Sequence, residues 1–88
     1  TSIGSGSTLG THVNIGHNCI IGENTFIAPG CKVAGSVKIG KNCNIWQGCL
    51  IGNGINICNN VTIGMGSIVA RDIVMPGTYF GSPCRLRG

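Results

Sequence analysis

Residues 15–32, Ile15-Gly16-His17-Asn18-Cys19-Ile20-Ile21-Gly22-Glu23-Asn24-Thr25-Phe26-Ile27-Ala28-Pro29-Gly30-Cys31-Lys32, decide the fold. They form three hexads laid end to end. Each opens on an aliphatic residue followed by Gly or Ala, carries a turn-forming residue at its fourth place (Asn18, Asn24, Gly30) and a small residue at its fifth (Cys19, Thr25, Cys31). A short fixed period of this kind marks a solenoid, in which each repeat buries its apolar face only by stacking on its neighbours.

The same frame extends in both directions from this stretch, from Ile3 to Val74, and holds twelve hexads. First places read Ile3, Leu9, Ile15, Ile21, Ile27, Val33, Ile39, Ile45, Ile51, Ile57, Ile63 and Val69, the core-facing column. Fifth places, from Ser7 and Val13 to Ser67 and Ile73, also point inward. Fourth places, including His12, Asn42, Gly48, Asn60 and Asp72, mostly hold residues that tolerate positive φ and so turn the chain at a corner. Pro29-Gly30 states the turn chemistry outright, since proline presets φ at the first turn residue and glycine accepts the left-handed second.

Three flat sides then close a triangular coil of eighteen residues, with residues eighteen apart stacked at roughly 4.8 Å, the spacing of paired strands. The expected fold is an all-β parallel β-helix of about four such coils. Charge agrees with this stacking, because Glu23 falls beneath Lys41 and Asn24, Asn42 and Asn60 line one corner. After Met75 the pattern fades, so residues 1–74 read as the helix and 75–88 as a short tail of the same domain that leaves the prism. No hexad carries an insertion, which puts any pocket between subunits or beside the tail.

Eighty-eight residues with only Glu23 and Asp72 acidic, against six Lys and Arg, give a modest positive balance without a dense basic run. Nucleic acid is therefore not an expected partner, whereas a small anionic ligand is compatible. No apolar run approaches the roughly 18 residues of a membrane span, and no signal peptide is recognisable, so a cytoplasmic location is expected. A chain this short buries little core and calls for partner subunits. The first residue is Thr1 and the repeat is already running by Ile3, so the block either stands alone or is one domain of a longer protein. Cys19, Cys31, Cys43 and Cys49 share the fifth place with Val, Ile, Thr and Ser, and read as small buried hydrophobes of a reducing compartment, not as a disulfide framework.

The hexads resemble the left-handed β-helix of the hexapeptide-repeat acyltransferase superfamily. The runs Ile15 to Glu23, Ile27-Ala28-Pro29-Gly30 and Ala34-Gly35-Ser36-Val37-Lys38-Ile39-Gly40 are similar to the sialic-acid O-acetyltransferase and bacterial UDP-amino-sugar N-acetyltransferase types. So is the ending Gly64-Met65-Gly66-Ser67-Ile68-Val69-Ala70-Arg71-Asp72-Ile73 with Gly81-Ser82-Pro83-Cys84, although Ser82 and Cys84 replace the commoner Asn and Ala. This resemblance implies a left-handed coil, a homotrimer, acetyl-CoA as co-substrate with no metal required, and a sugar or sugar-nucleotide acceptor. It also implies that His17 is the general base and that Gly35 offers its N–H to the thioester carbonyl. Asn18 stands where many relatives carry a carboxylate, and Phe26 where the amino-sugar enzymes often carry a second histidine. The lipid A pathway N-acyltransferase, which takes its acyl group from a carrier protein, has Asn after its histidine and is an alternative.

The residues support this chemistry on their own terms. His17 occupies the third place of its hexad, where a corner side chain projects outward, and Gly35 is the same place one coil on. A base and a backbone N–H thus share one edge, about one strand spacing apart, which suits two atoms of a single tetrahedral centre. Free imidazole titrates near pH 6.5, so it can take the proton of an attacking amine or hydroxyl at neutral pH. Arg71 and Arg85, with Arg87, are candidates for CoA phosphates near the top of the prism. Trp46 stands outward on a flat side, where packing on a neighbouring subunit is favoured.

Two further classes compete. His12 and His17 share the five-residue spacing of two zinc-binding histidines in γ-class carbonic anhydrases, which have this fold, but adjacent corners point apart and a third histidine is missing. A silent scaffold is the other. An ice-binding version of it needs a regular threonine ladder, and Thr8, Thr11, Thr25, Thr62 and Thr78 read as standing in different columns.

Overall fold

The computed structural model describes residues 1–87, which contain fourteen short β-strands and no helix. Twelve strands follow the hexads: β1 (Ser2–Ile3), β2 (Thr8–Leu9), β3 (Asn14–Ile15), β4 (Ile20–Ile21), β5 (Phe26–Ile27), β6 (Lys32–Val33), β7 (Lys38–Ile39), β8 (Asn44–Ile45), β9 (Leu50–Ile51), β10 (Asn56–Ile57), β11 (Val61–Ile63) and β12 (Ile68–Val69). Two more, β13 (Gly77–Gly81) and β14 (Cys84–Leu86), close the chain. Every third strand stacks into one face. The first side is β1-β4-β7-β10, the second β2-β5-β8-β11-β13-β14, and the third β3-β6-β9-β12. Partners lie eighteen residues apart, Ile3 opposite Ile21, Leu9 opposite Ile27 and Ile15 opposite Val33. The expected parallel solenoid of about four coils is what forms.

The corners explain the fourth-place residues. His12, Asn18, Asn24, Ser36, Asn42 and Asn60 have φ between 54° and 61°, and Gly6, Gly30, Gly48, Gly54 and Gly66 between 71° and 80°. This left-handed turn aims the fourth-place N–H down the stack at the third-place carbonyl one coil below, as from Ser36 to His17 at 2.8 Å and from Asn42 to Glu23 at 3.0 Å.

First and fifth places fill the core, with Ile27, Cys31, Val37, Cys43, Ile45, Cys49, Val61 and Ile63 completely buried. Small polar residues recur at the fifth place because a second-place carbonyl needs a partner there. Thr25 Oγ1 donates to the Gly40 carbonyl at 2.7 Å and accepts the Cys43 N–H at 3.3 Å. Ser7 does the same for the Gly22 carbonyl and the Thr25 N–H. The thiols of Cys19, Cys31, Cys43 and Cys49 donate to the carbonyls of Ala34, Trp46, Cys58 and Gly64 at 3.1–3.2 Å. These cysteines are unpaired and buried as expected, and each serves as a weak donor as well as a hydrophobe.

Three expectations change. The frame slips at the top: Ile57 pairs with Ile73 and Thr62 with Thr78, sixteen residues apart, so the last corner is two residues short. Asp72 therefore does not take the left-handed turn. Its Oδ1 instead accepts the Asn56 N–H at 2.8 Å, in place of the carbonyl that a complete next coil would supply. Secondly, the segment after Met75 does not at once leave the prism. β13 adds a strand to the second side above β11 and then reverses into β14, which pairs antiparallel with it. Thirdly, Thr8 and Thr62 do share an outward column, with Thr78 above them, but Phe26 and Asn44 interrupt it, so no ladder results. Trp46 finds a partner within the chain, edge-on to Phe26 with ring centroids 5.6 Å apart. Glu23 meets Lys41 at 3.4 Å, but both are more than half exposed, and the pair contributes little.

Thr25→Val should cost about 1–3 kcal/mol, because a buried N–H and a carbonyl both lose their partner. A lower urea midpoint, with Thr25→Ser much milder, checks this. Burial pushes the Cys49 thiol from its ordinary 9.0 up to about 11. The unfolded chain ionises first, so the stability contributed by the neutral buried thiol is full below pH 9.0 and declines towards about 11. Denaturation midpoints compared with Cys49→Val across that range should show the wild type losing ground as pH rises.

Candidate active site

The corner between the third and first sides carries the candidate residues. Its third places are, in ascending coils, His17, Gly35, Asn53 and Arg71. The stacking is visible in the backbone, since Ser36 N–H reaches the His17 carbonyl at 2.8 Å and Gly54 N–H reaches the Gly35 carbonyl at 3.0 Å. A third-place side chain has the backbone turning away behind it, so it projects outward. His17 and Asn53 are exposed, whereas Gly35 between them is buried.

Gly35 is covered because both neighbours lean over it. A Cβ placed there would lie 2.9 Å from His17 Nε2, 3.0 Å from its Cε1 and 3.3 Å from Asn53 Oδ1. The absent side chain thus leaves a notch with the imidazole as floor and a carboxamide as ceiling. Gly35 N–H donates to no acceptor among the described residues. The third-place N–H groups of His17 and Asn53 are likewise without a partner among the described residues, so what sets Gly35 apart is the missing side chain.

The other face of the imidazole is held by Asn18, whose Nδ2 lies 3.3 Å from His17 Nδ1. The two ends of a carboxamide differ only in their hydrogen-bonding sense. Through this contact at Nδ1, Asn18 orients the ring with Nε2 towards the notch. Asn18 can in this way do the orienting work of a carboxylate, more weakly for want of charge.

Arg71 and Arg85 lie on one cavity at the top of the prism. A cavity of about 170 Å³ there is lined by both arginines together with Asp72, Ile73, Tyr79 and Cys84. The pairing of β14 with β13 puts Arg85 on the cavity that Arg71 also lines, a juxtaposition that sequence distance alone does not reveal. By register the arginine corner stands three coils above His17, roughly 14 Å along the axis. His12 is exposed on a different corner, between the second and third sides. Asn53 was not singled out by sequence reading, although its place eighteen residues after Gly35 was a signal available in the repeat. The notch brings an imidazole, a backbone N–H and a carboxamide close together, an arrangement compatible with attack on a carbonyl whose oxygen gains charge.

The model of bacterial transferase hexapeptide (six repeats) matches residues 1–35 and 18–53, and that of the hexapeptide repeat of succinyl-transferase matches residues 36–71. A search of curated proteins finds no match. Among solved structures, the acetyltransferase domain of PglB from Neisseria gonorrhoeae FA1090 superposes with a TM-score of 0.83 at 25% identity, over 97% of this chain and 44% of that one. A maltose O-acetyltransferase from Clostridium difficile 630 follows with 0.69 at 27% identity, over 97% and 61%. Serine acetyltransferase from Brucella abortus strain S19 gives 0.65 at 26%, over 94% and 40%. The chain thus spans less than two thirds of each of these structures.

The notch can be tested without any reaction. Gly35 lies outside the left-handed region, so Gly35→Ala strains no backbone, and its methyl group meets only movable side-chain ends. The melting temperature should stay close to that of the wild type while the His17 ring resonances shift, as read by NMR of the imidazole.

Proposed function

Because the chain belongs to the family of bacterial hexapeptide-repeat transferases, we propose that it is an acyltransferase that moves an acetyl group from acetyl-CoA to an amine or hydroxyl of a sugar or sugar nucleotide. The observation that carries this reading is the notch: His17 Nε2 beneath Gly35, beside a Gly35 N–H with no partner among the described residues. The similarity to three acetyltransferases, two of them 26–27% identical, supports the choice of acetyl.

The proposed chemistry uses the groups at the notch. The acceptor's lone pair attacks the thioester carbon, and His17 Nε2 takes the proton released from the attacking N–H or O–H. The π electrons of the carbonyl move to its oxygen, which Gly35 N–H stabilises. As the oxygen returns its electron pair, the C–S bond breaks, and the sulfur takes the proton from His17 to leave as a thiol. Base catalysis of this kind contributes roughly 100- to 10,000-fold, and one oxyanion donor about 3 kcal/mol. Arg71 and Arg85 hold phosphates of the donor, with the acyl arm running down the corner to the notch. No metal enters this scheme.

The corner is open to one side, so we take the functional unit to be a homotrimer in which a neighbouring copy walls the groove, with residues 1–74 and 75–88 acting as one domain. No helix among the described residues is long and apolar enough to cross a membrane, and a cytoplasmic site of action fits a CoA-dependent reaction.

His17→Ala should keep the fold, since an exposed corner side chain carries little packing, and should lower turnover about 100- to 10,000-fold. The assay is thiol release from acetyl-CoA against a panel of UDP-amino sugars, sialic acid and serine, with melting curves alongside. Undiminished turnover by the variant would eliminate the base.

A further inference from the structure

We propose that Asn53 is a further catalytic residue, which donates a second hydrogen bond to the oxygen that Gly35 N–H holds; this rests on the acyl-transfer reading above. The repeat itself supplies the reason. At the corner between the first and second sides, Lys41 and Asn59 occupy the third places of successive coils, the relation that Gly35 and Asn53 have at the candidate site. There Asn59 Oδ1 accepts the Lys41 N–H at 2.8 Å. At that corner a third-place N–H points up the stack at the third-place side chain of the next coil.

Carried to the candidate corner by the same register, Gly35 N–H points towards Asn53. Asn53 Oδ1 is already close, 3.3 Å from the point a Gly35 Cβ would occupy, yet it does not accept this N–H, which stays free among the described residues. Any oxygen bound by Gly35 N–H must then lie against the carboxamide of Asn53. Beside a carbonyl oxygen gaining an electron pair, that carboxamide presents its NH₂ end, by a half-turn of a torsion that is broad and nearly two-fold. The oxygen then has two donors, one from the backbone and one from a side chain, while His17 works from below. When the C–S bond breaks the oxygen gives the pair back, and Asn53 is unchanged. A carboxylate at this place would face the oxyanion with like charge, so the site requires an uncharged donor.

Asn53→Ala, Asn53→Asp and, as control, Asn59→Ala are to be compared with the wild type and His17→Ala in the thiol-release assay. Asn53→Ala should lower kcat about 100- to 1,000-fold, the usual loss for one side-chain oxyanion donor, with the KM for acetyl-CoA and the melting temperature nearly unchanged. Asn53→Asp should be at least as slow, because it adds repulsion. Asn59→Ala should lower the melting temperature alone. Wild-type kcat in Asn53→Ala, with His17→Ala inactive, would overturn the role of Asn53 and spare the base. Wild-type kcat in His17→Ala, or a wild type that turns over nothing in the panel, would remove the acyl-transfer reading and this role with it. Equal loss of stability and activity in Asn53→Ala and Asn59→Ala would reduce Asn53 to a structural cap.

Discussion

The left-handed corner is the constraint on which the molecule rests. Once the fourth residue of a hexad takes positive φ, its N–H must face down the stack, and the only acceptor within reach is the third-place carbonyl one coil below, as Gly54 N–H finds at Gly35. This bond ties successive coils at every regular corner and keeps residues eighteen apart in register. A shift by one residue would put Ile and Val outside and Lys and Asn inside on every face at once. The register is therefore strongly specified although no single strand exceeds three residues below β13.

The candidate site is a by-product of the same constraint. Corner bonding uses the fourth-place N–H and the third-place carbonyl but leaves the third-place N–H over. Most third places carry a side chain; at Gly35 the missing one opens a notch, and the neighbours above and below close over it. A rigid solenoid thus holds an imidazole, a backbone N–H and a carboxamide close together without spending a loop on any of them, the kind of preorganisation that the proposed chemistry requires.

At the top of the prism the regular pattern ends by substitution. Asp72 Oδ1 takes the N–H of Asn56 that a further coil would have satisfied, and β14 folds back over β13 so that the second side ends on an antiparallel strand instead of an open parallel edge. Arg71, beside the shortened corner, and Arg85 of the hairpin line the same small cavity.

The period of six, with Ile or Val at first places and Asn or Gly at fourth ones, determined by itself that the chain is a parallel three-sided solenoid, that the fifth-place cysteines are buried, and that His17 and Gly35 share an edge. Those properties repeat, and repetition is legible in sequence because each hexad reports the same local choice again. What does not repeat was left to the tertiary structure: the slip at Asp72, the return of β14, the pairing of Trp46 with Phe26, the hold of Asn18 on the imidazole and the approach of Asn53 to Gly35. Each depends on which rotamer or backbone path satisfies hydrogen bonds and packing between residues many positions apart, and a local pattern carries no record of that competition.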